Sequence, residues 1–299
     1  LRSLALALRH EGTTREEKNE NMRKSLNLTE EANKLNPDDS TTTYMLGNAY
    51  LTYFFSCGQQ DGRYISKALA AYLKAVSSEK EKYNADLYYN YAQALQFEQS
   101  YEEVLIALKR AITLDPEFSQ AKEKLTNLKT FLSAVQANVK KRGKMSAKRL
   151  DQMIKNFNPQ KELGVYGGGS VSIMGGKEIS LRLVDFAQLH FGSNENKITA
   201  GKVVGIVVNE ETIPYTFTLV DKSGCCCAVT VYNFSEQFGV TIGSSVAVPE
   251  PYVLDIDFTL DDATHLDLRV IRVPTPEILV VNGRKLGKDS VAFVELEMT

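Results

Sequence analysis

Residues 46 to 75 read LGNAYLTYFFSCGQQDGRYISKALAAYLKA, and this stretch decides how the first half of the chain folds. Its apolar and small residues recur at helical spacing, first around Gly47 and Tyr50 and again around Ala68 and Tyr72. A small residue such as Gly47 lets two helices approach closely, and a tyrosine such as Tyr72 fills the space between helix pairs. The stretch therefore predicts a pair of packed helices.

The same pattern recurs on both sides of this stretch. A following unit ends at Pro116 and keeps the roughly 34-residue spacing of the motif, and an earlier unit ends at Pro37, with its first helix expected near residues 1 to 9. Each proline ends a second helix because it cannot donate a backbone hydrogen bond. This is the signature of tetratricopeptide repeats. We predict a tetratricopeptide-repeat α-solenoid over residues 1–139, capped by a helix over residues 118–139.

From about Gly164 the glycines become frequent and the apolar runs shorten to strand length. A short helix is expected near residues 235–238, and Asn282-Gly283 is typical of a tight turn. Residues 164–299 are therefore predicted to form a C-terminal OB-fold β-barrel, which makes the chain a multidomain protein, α then β. The expected strands are Ile179–Phe186, Val203–Val208, Tyr215–Val220, Cys226–Tyr232, Val246–Val248, Leu266–Val273 and Ile278–Val281.

The formal charge of −2 hides an uneven distribution of charged residues. Residues 150 to 299 hold 12 basic and 19 acidic side chains, so the predicted barrel is acidic. A basic linker with a short helix is expected over residues 140–163. Its cations are typical either of a solvated linker or of a contact to rRNA, DNA or an acidic partner. These six cations have no acid between them: Lys140, Lys141, Arg142, Lys144, Lys148 and Arg149.

No residue pattern indicates catalysis, a metal site or a cofactor. Cys225, Cys226 and Cys227 are adjacent, and adjacent strand residues point to opposite faces, so we expect small strand residues rather than ligands for one metal. The three histidines are far apart in the sequence and have no partnered nucleophile. The cysteine pattern favours a reducing compartment, and no apolar run approaches the roughly 20 residues of a membrane span.

The first helix of each repeat lines the predicted binding surface, because a repeat array has no catalytic chemistry of its own. These helix faces are either solvated or form a polar, aromatic groove suited to a peptide. Asn48, Asn90 and Lys124 suit a clamp for a C-terminal carboxylate. Tyr44 and Gln120, however, stand where such a clamp needs two lysines. The inward positions are Thr41, Tyr44, Asn48, Asp86, Tyr89, Gln93, Gln120, Glu123 and Asn127.

Segments in both halves of the chain point to one family. They read LRSLALALRH, LGNAYLTYFF and NADLYYN in the repeats, and GKVVG, PYTFTLVD, AVTVYNF, VAVPEP and LVVNG in the barrel. Repeats followed directly by an OB barrel are an unusual pairing. The sequence resembles the tetratricopeptide repeat protein five (Strap) family through nearly all of its 299 residues. The resemblance implies the C-terminal repeats and the OB-fold domain of that family.

The resemblance also implies roles for individual residues. The peptide-contacting arginine of the family falls on Arg9 and its first acidic contact on Asp86, whereas its second acidic contact falls on the uncharged Gln120. The ribosome-facing lysine pair of the family falls on Ser146 and Lys148, so one of the two positions matches. With the groove positions, the predicted peptide-binding residues are Arg9, Tyr44, Asn48, Asp86, Tyr89, Gln93 and Gln120.

The resemblance implies two functions, neither of them enzymatic. In the first, the groove binds the N-terminal peptide of nascent α- and β-tubulin at the ribosome, and recruited mRNA-decay adaptor proteins promote decay of tubulin mRNA (tubulin autoregulation). A peptide beginning Met-Arg-Glu needs an acid for its arginine and a base for its glutamate, and Asp86 and Arg9 supply one of each. The cations then contact rRNA.

In the second function, the chain is a nuclear, stress-responsive transcription cofactor that binds coactivators and chromatin or DNA through the OB fold. The acidity of the barrel favours protein contacts over DNA contacts. A purely structural scaffold is a third possibility and needs no groove chemistry. We expect cytoplasmic and nuclear localisation, no cofactor and no membrane.

Overall fold

The chain forms two compact units in the computed structural model, which describes residues 1–57, 59, 61–167, 170–172, 178–211 and 213–291. The first unit is Leu1–Thr126, and the second begins at Asn127. The boundary lies inside a long helix, thirteen residues before the end that the sequence predicts for the repeat array. The predicted linker region therefore lies in the same unit as the barrel.

The first unit is built from helix pairs, as the repeat pattern predicts. Helix α3 packs closely on α4 and α5 on α6, and α2 packs on both α1 and α3. Helix α2 ends two residues before Pro37 and α6 two residues before Pro116, where each proline was expected to end a helix. The described helices are α1 (Arg2–Arg9), α2 (Arg15–Leu35), α3 (Ser40–Ser56), α4 (Arg63–Val76), α5 (Ala85–Phe97), α6 (Tyr101–Leu114), α7 (Ser119–Lys140) and α8 (Ala147–Asn156).

Aromatic side chains fill the core of this unit. Tyr72 of α4 is fully buried, and its ring lies so close to α3 that a Cβ at Gly47 would be 2.7 Å from the ring. Phe54 is also buried and meets Phe97 edge to face, with the ring centroids 4.9 Å apart. The roles that the sequence predicts for Gly47 and Tyr72 are thus the observed ones.

The second unit continues through α7 and α8 into a β-rich domain. A small antiparallel sheet pairs β1 with β2, and the main sheet has the order β12-β11-β8-β5-β6-β7-β10-β9-β4, with β3 beside β5. The described strands are β1 (Ser170–Ser172), β2 (Glu178–Ser180), β3 (Arg182–Leu183), β4 (Gly192–Ser193), β5 (Lys197–Val207), β6 (Tyr215–Val220), β7 (Cys226–Val231), β8 (Ser245–Pro249), β9 (Tyr252–Thr259), β10 (His265–Val273), β11 (Val280–Val281) and β12 (Arg284–Lys285).

The pairing of six of these strands closes the sheet into a barrel. Strands β7 and β10 pair in parallel, whereas β5–β6, β6–β7, β5–β8 and β9–β10 are antiparallel. Strands β8 and β9 are consecutive in the chain and pair with β5 and β10, which closes the ring. Phe217, Leu219, Val229 and Ile271 fill its core. The predicted OB barrel is confirmed.

Three local features of the barrel bear on the sequence predictions. The expected helix at residues 235–238 is wrong: this segment is a turn, because Ser235 donates its N–H to Ser290 O (2.8 Å) and its hydroxyl to Asp289 O (2.7 Å) instead of starting a helix. The turn at Asn282-Gly283 joins β11 to β12 as expected, and both residues have positive φ. Strand β9 was not predicted.

Candidate functional site

The first unit contains a network of buried polar side chains that joins α3, α4 and α5. Tyr72 donates its hydroxyl to Asn48 Oδ1 (2.7 Å), and Asn90 Nδ2 donates to the Tyr44 hydroxyl (2.9 Å). Gln93 Nε2 in turn donates to Asn90 Oδ1 (3.3 Å). Asn48, Asn90 and Gln93 are each buried. Hydrogen bonds between neighbouring helices hold these side chains in fixed positions.

Arg9, the last residue of α1, lies beside this network. Its Nε donates to Ser25 Oγ (3.2 Å) and its Nη2 to Met45 O (3.0 Å), which fixes the plane of the guanidinium. Burial lowers the pKa of Arg9, and the hydroxyls of Tyr72 and Tyr44 are the titratable groups that act on it. No carboxylate among the described residues forms an ion pair with Arg9. The guanidinium of Arg9 can therefore bind an anion by donating hydrogen bonds from its remaining N–H groups.

Asp86 provides an opposite charge near the same tyrosine. It lies exposed in the first turn of α5. Burial raises the pKa of Tyr44, and the carboxylates of Asp86 and Glu81 raise it further. Glu81 is buried and accepts hydrogen bonds from Thr41 Oγ1 (2.6 Å) and Asn84 Nδ2 (2.8 Å), so it anchors the segment that leads into α5. Tyr44 thus lies within the electrostatic reach of both Arg9 and Asp86.

The structure brings together some of the predicted peptide-binding residues and not others. Arg9, Tyr44, Asn48, Asp86 and Gln93 border one network. Tyr89 instead packs against Phe118 with the rings tilted and their centroids 5.0 Å apart. Gln120 is exposed, and its side-chain oxygen accepts from Ser119 Oγ (3.3 Å).

Sequence reasoning missed two parts of this site. Tyr72 was assigned only to packing, yet its hydroxyl orients Asn48. Ser25, which fixes Arg9, was not singled out at all, because a serine within a long polar helix gives no signal of its own. Asn90 was noted only for the carboxylate clamp. Its position four residues after Asp86 and three before Gln93 puts it on the same helix face and could have indicated its role.

The six predicted cations lie at the other candidate site, in the second unit. Helix α7 ends at Lys140, and the chain turns through Arg142 and Gly143, both at positive φ. Gly143 N donates to Asn138 O (2.9 Å), which closes the end of the helix. Helix α8 then begins at Ala147, so Lys148 and Arg149 lie in its first turn. All six side chains are exposed, and none forms an ion pair within the described part of the chain.

Lys148 and Arg149 increase the positive potential at the start of α8. The N-terminus of a helix carries partial positive charge and has backbone N–H groups without intrahelical acceptors. Ser146, the residue before the helix, makes no side-chain capping bond. We call the stretch from Lys140 to Arg149 the cationic turn. Its chemistry suits phosphate groups.

The three adjacent cysteines are buried to different degrees. Cys225 is exposed, Cys226 is partly buried and Cys227 is buried. Burial raises the pKa of Cys226 to about 12. Within the described ranges, no group of three or more histidine, cysteine or acidic side chains could hold a metal ion. Among the helices described, none combines the length and apolar character needed to cross a bilayer.

Comparisons with known proteins find relatives of both units. The family model of the tetratricopeptide repeat protein 5 OB fold domain matches residues 180–295. Human tetratricopeptide repeat protein 5 is 34% identical over 294 residues, which cover 98% of this chain and 66% of that protein. The Bos taurus protein of the same name is 36% identical over 255 residues, which cover 85% of this chain and 57% of the relative. The chain thus spans less than two thirds of the length of these relatives.

A solved structure also resembles part of the chain. The Arabidopsis OM64 TPR domain is 21% identical, with a TM-score of 0.34, and the match covers 43% of this chain and 91% of that domain. A score this low supports no conclusion about function.

Proposed function

Because the chain belongs to the tetratricopeptide repeat protein 5 family, we propose that it is a non-enzymatic adaptor whose repeat unit binds the N-terminal peptide of nascent α- and β-tubulin. In this proposal the peptide is bound as it emerges from a cytoplasmic ribosome, and the cationic turn contacts ribosomal RNA. Bound in this way, the protein recruits mRNA-decay adaptors and promotes decay of tubulin mRNA.

The environment of Arg9 is the main observation that supports the proposal. Its guanidinium is largely withdrawn from solvent, it is held in place by Ser25 and Met45, and it lacks a carboxylate partner among the described residues. A desolvated cation without a counterion is costly, so an anionic ligand group stabilises the site. The glutamate of a peptide beginning Met-Arg-Glu supplies such a group and can form a charge-assisted hydrogen bond with the arginine.

Asp86 supplies the acidic group for the same peptide. Its carboxylate is exposed and free to meet the arginine at the second position of the peptide. Each of the two peptide charges then meets a protein charge of opposite sign. Replacing the second acidic contact of the family by Gln120 removes one attraction but leaves this pair intact.

Replacing Asp86 with alanine is expected to weaken binding of a Met-Arg-Glu peptide by about 1.5 to 3 kcal/mol, the usual worth of a hydrogen bond to a charged group. Isothermal titration of the full chain with the peptide measures this. The matched control is Glu102→Ala, which removes an exposed acid from the first turn of the neighbouring helix α6 and should leave the affinity unchanged.

A second peptide tests whether Asp86 contacts the arginine of the peptide. With the peptide arginine replaced by glutamine, parent and Asp86→Ala proteins should bind equally, because the charge that Asp86 meets is gone. Equal affinity of the two proteins for the original peptide would reject the role of Asp86.

The proposed ribosome contact gives a separate prediction. Reversing Lys148 and Arg149 to glutamate should lower the magnitude of the slope of log affinity against log salt by about 1.4 to 1.8, at roughly 0.7 to 0.9 per phosphate contact. Ribosome co-sedimentation across a salt series measures the slope. Peptide affinity should not change, because the peptide site belongs to the other unit.

The control for charge alone reverses Lys34 and Lys122, two exposed cations of the first unit that form no ion pair within the described part of the chain. This variant has the same net charge as the first and should keep the parent slope. If the two variants lower the slope equally, the cationic turn has no special contact with the ribosome. Crosslinking a ribosome-bound tubulin nascent chain to the protein in lysate tests the whole proposal.

A further inference from the structure

The topology of the barrel identifies the strand face on which OB folds bind oligonucleotides. That face is formed by the second and third strands, with the loops after the first and fourth strands at its rim. Here β5 is the first strand, β6 and β7 are the second and third, and β8 with β9 is the fourth. The rim loops therefore lie between β5 and β6 and between β9 and β10.

The outward side chains of this face are buried. Phe217 and Leu219 of β6 point into the core, so the alternate residues Thr216 and Thr218 point outward. Both threonines are at most 1% exposed, and the outward Thr230 of β7 is 2% exposed. A face open to a ligand would leave these residues accessible.

Polar side chains in the second half of α7 contact β6 of this face and the two strands that flank the face, β5 and β10. Thr218 Oγ1 donates to Asn138 Oδ1 (3.1 Å), and a Cβ at Gly205 would overlap with the Asn138 amide. Gln136 accepts from Asp267 N (2.7 Å) and donates to His265 O (2.9 Å), so its amide pairs with the backbone of β10 as a neighbouring strand would. These contacts occupy the positions that a ligand needs.

The ends of the same segment are also attached to the barrel. Lys129 Nζ lies 2.8 Å from Asp261 in the rim loop between β9 and β10. A Cβ at Gly143 would overlap with the carbonyl oxygen of Val204. Helix α8 packs Leu150 against Val204 and Val220. Residues 129 to 155 thus cover the barrel from one rim loop to β5 and β6.

We propose that this segment closes the strand face permanently, so that single-stranded nucleic acid does not bind the barrel at the face that OB folds use. The side chains of the covered face are consistent with this proposal. Strands β6 and β7 present no outward aromatic or cationic side chain, whereas sequence-independent single-strand binding needs stacking platforms and positive charge. In this proposal the barrel supports α7 and α8 and does not bind nucleic acid.

The first test follows hydrogen exchange of the full chain with and without a 15-nucleotide oligothymidylate at low salt. The informative amides lie in the rim loops, at residues 208–211 and 260–264, because the strand amides are already protected by the sheet. The expected result is unchanged exchange in both loops at saturating oligonucleotide. Protection of either loop by the oligonucleotide would overturn the proposal.

The second test asks whether the segment is firmly seated in solution. Gly143→Ala introduces a clash with the backbone of Val204, and Gly224→Ala is the matched control, since Gly224 also has positive φ but has open space around its Cβ position. We expect amides of residues 129–155 to exchange at least tenfold faster in Gly143→Ala than in Gly224→Ala. Equal exchange in the two variants would contradict a seated segment.

If Gly143→Ala does not fold, a less disruptive substitution provides the same test. Gln136→Ala removes the acceptor of the Asp267 N–H, so that amide should exchange about tenfold faster than in the parent. Gln160→Ala is its control at an exposed glutamine of the same unit and should leave the Asp267 amide unchanged. An unchanged Asp267 amide in Gln136→Ala likewise counts against the proposal.

Discussion

Replacing Tyr72 with alanine is expected to lower the free energy of unfolding of the repeat unit by about 3 to 5 kcal/mol. The ring is fully buried and packs directly on Gly47 of α3, and glycine has no side chain that could fill the space left by the ring. The substitution also leaves Asn48 Oδ1 without its hydroxyl donor. Urea denaturation followed by far-ultraviolet circular dichroism measures the change.

Two further variants separate the ring from the hydroxyl. Tyr72→Phe keeps the packing and removes only the hydrogen bond, so a loss of about 1 to 2 kcal/mol is expected. Tyr83→Ala makes the same change as Tyr72→Ala at a residue that is 64% exposed, and should cost less than about 0.5 kcal/mol. A loss at Tyr72 no larger than that at Tyr83 would show that the ring does not hold the repeats together.

Replacing Asp221 with alanine is expected to destabilise the barrel by about 3 to 5 kcal/mol. Its carboxylate is buried at the turn between β6 and β7 and accepts hydrogen bonds from Phe186 N (2.8 Å), Cys225 N (2.9 Å) and Ser223 Oγ (2.7 Å). Alanine leaves two backbone donors without an acceptor, and each costs about 1 to 3 kcal/mol when buried.

The labelling rate of the buried Cys227 thiol, followed by mass spectrometry in moderate urea, reports opening of the barrel after this change. Asp221→Asn keeps one acceptor oxygen and should lose about half as much stability. Asp151→Ala, at an exposed carboxylate of α8, should behave like the parent. If Cys227 labels at the parent rate in Asp221→Ala, the carboxylate is not a structural anchor.

The sequence predicted the architecture well, because the features that determine it are periodic. The spacing of Gly47 and Tyr72 determines the distance between helices. In β6 and β7, the alternation of inward and outward side chains determines which residues enter the core. The quoted segments in both halves of the chain carry the family assignment, which the comparisons confirm. Strand β9 was missed because Asp255 and Asp257 interrupt its apolar residues, and a strand tolerates such carboxylates where they point to the exposed face.

Contacts between distant segments could not be predicted in the same way. Gln136 and Asn138 look like ordinary polar residues near the end of a helix, and nothing in their spacing indicates that they bind strands more than 75 residues later. The helix was therefore assigned to the repeats, although its second half belongs to the barrel unit. Arg9 likewise stood out only through the family resemblance, because its partners Ser25 and Met45 lie on other helices.

The depth of Arg9 also determines how the molecule responds to ionic strength. Mobile ions screen exposed charges over about 8 Å at physiological salt but act much less on a charge that protein atoms surround. The cationic turn is exposed, whereas the guanidinium of Arg9 is enclosed by α2 and α3. On the proposed function, rising salt should therefore weaken the contact of the cationic turn with ribosomal RNA more than the contact of Arg9 with the glutamate of the peptide.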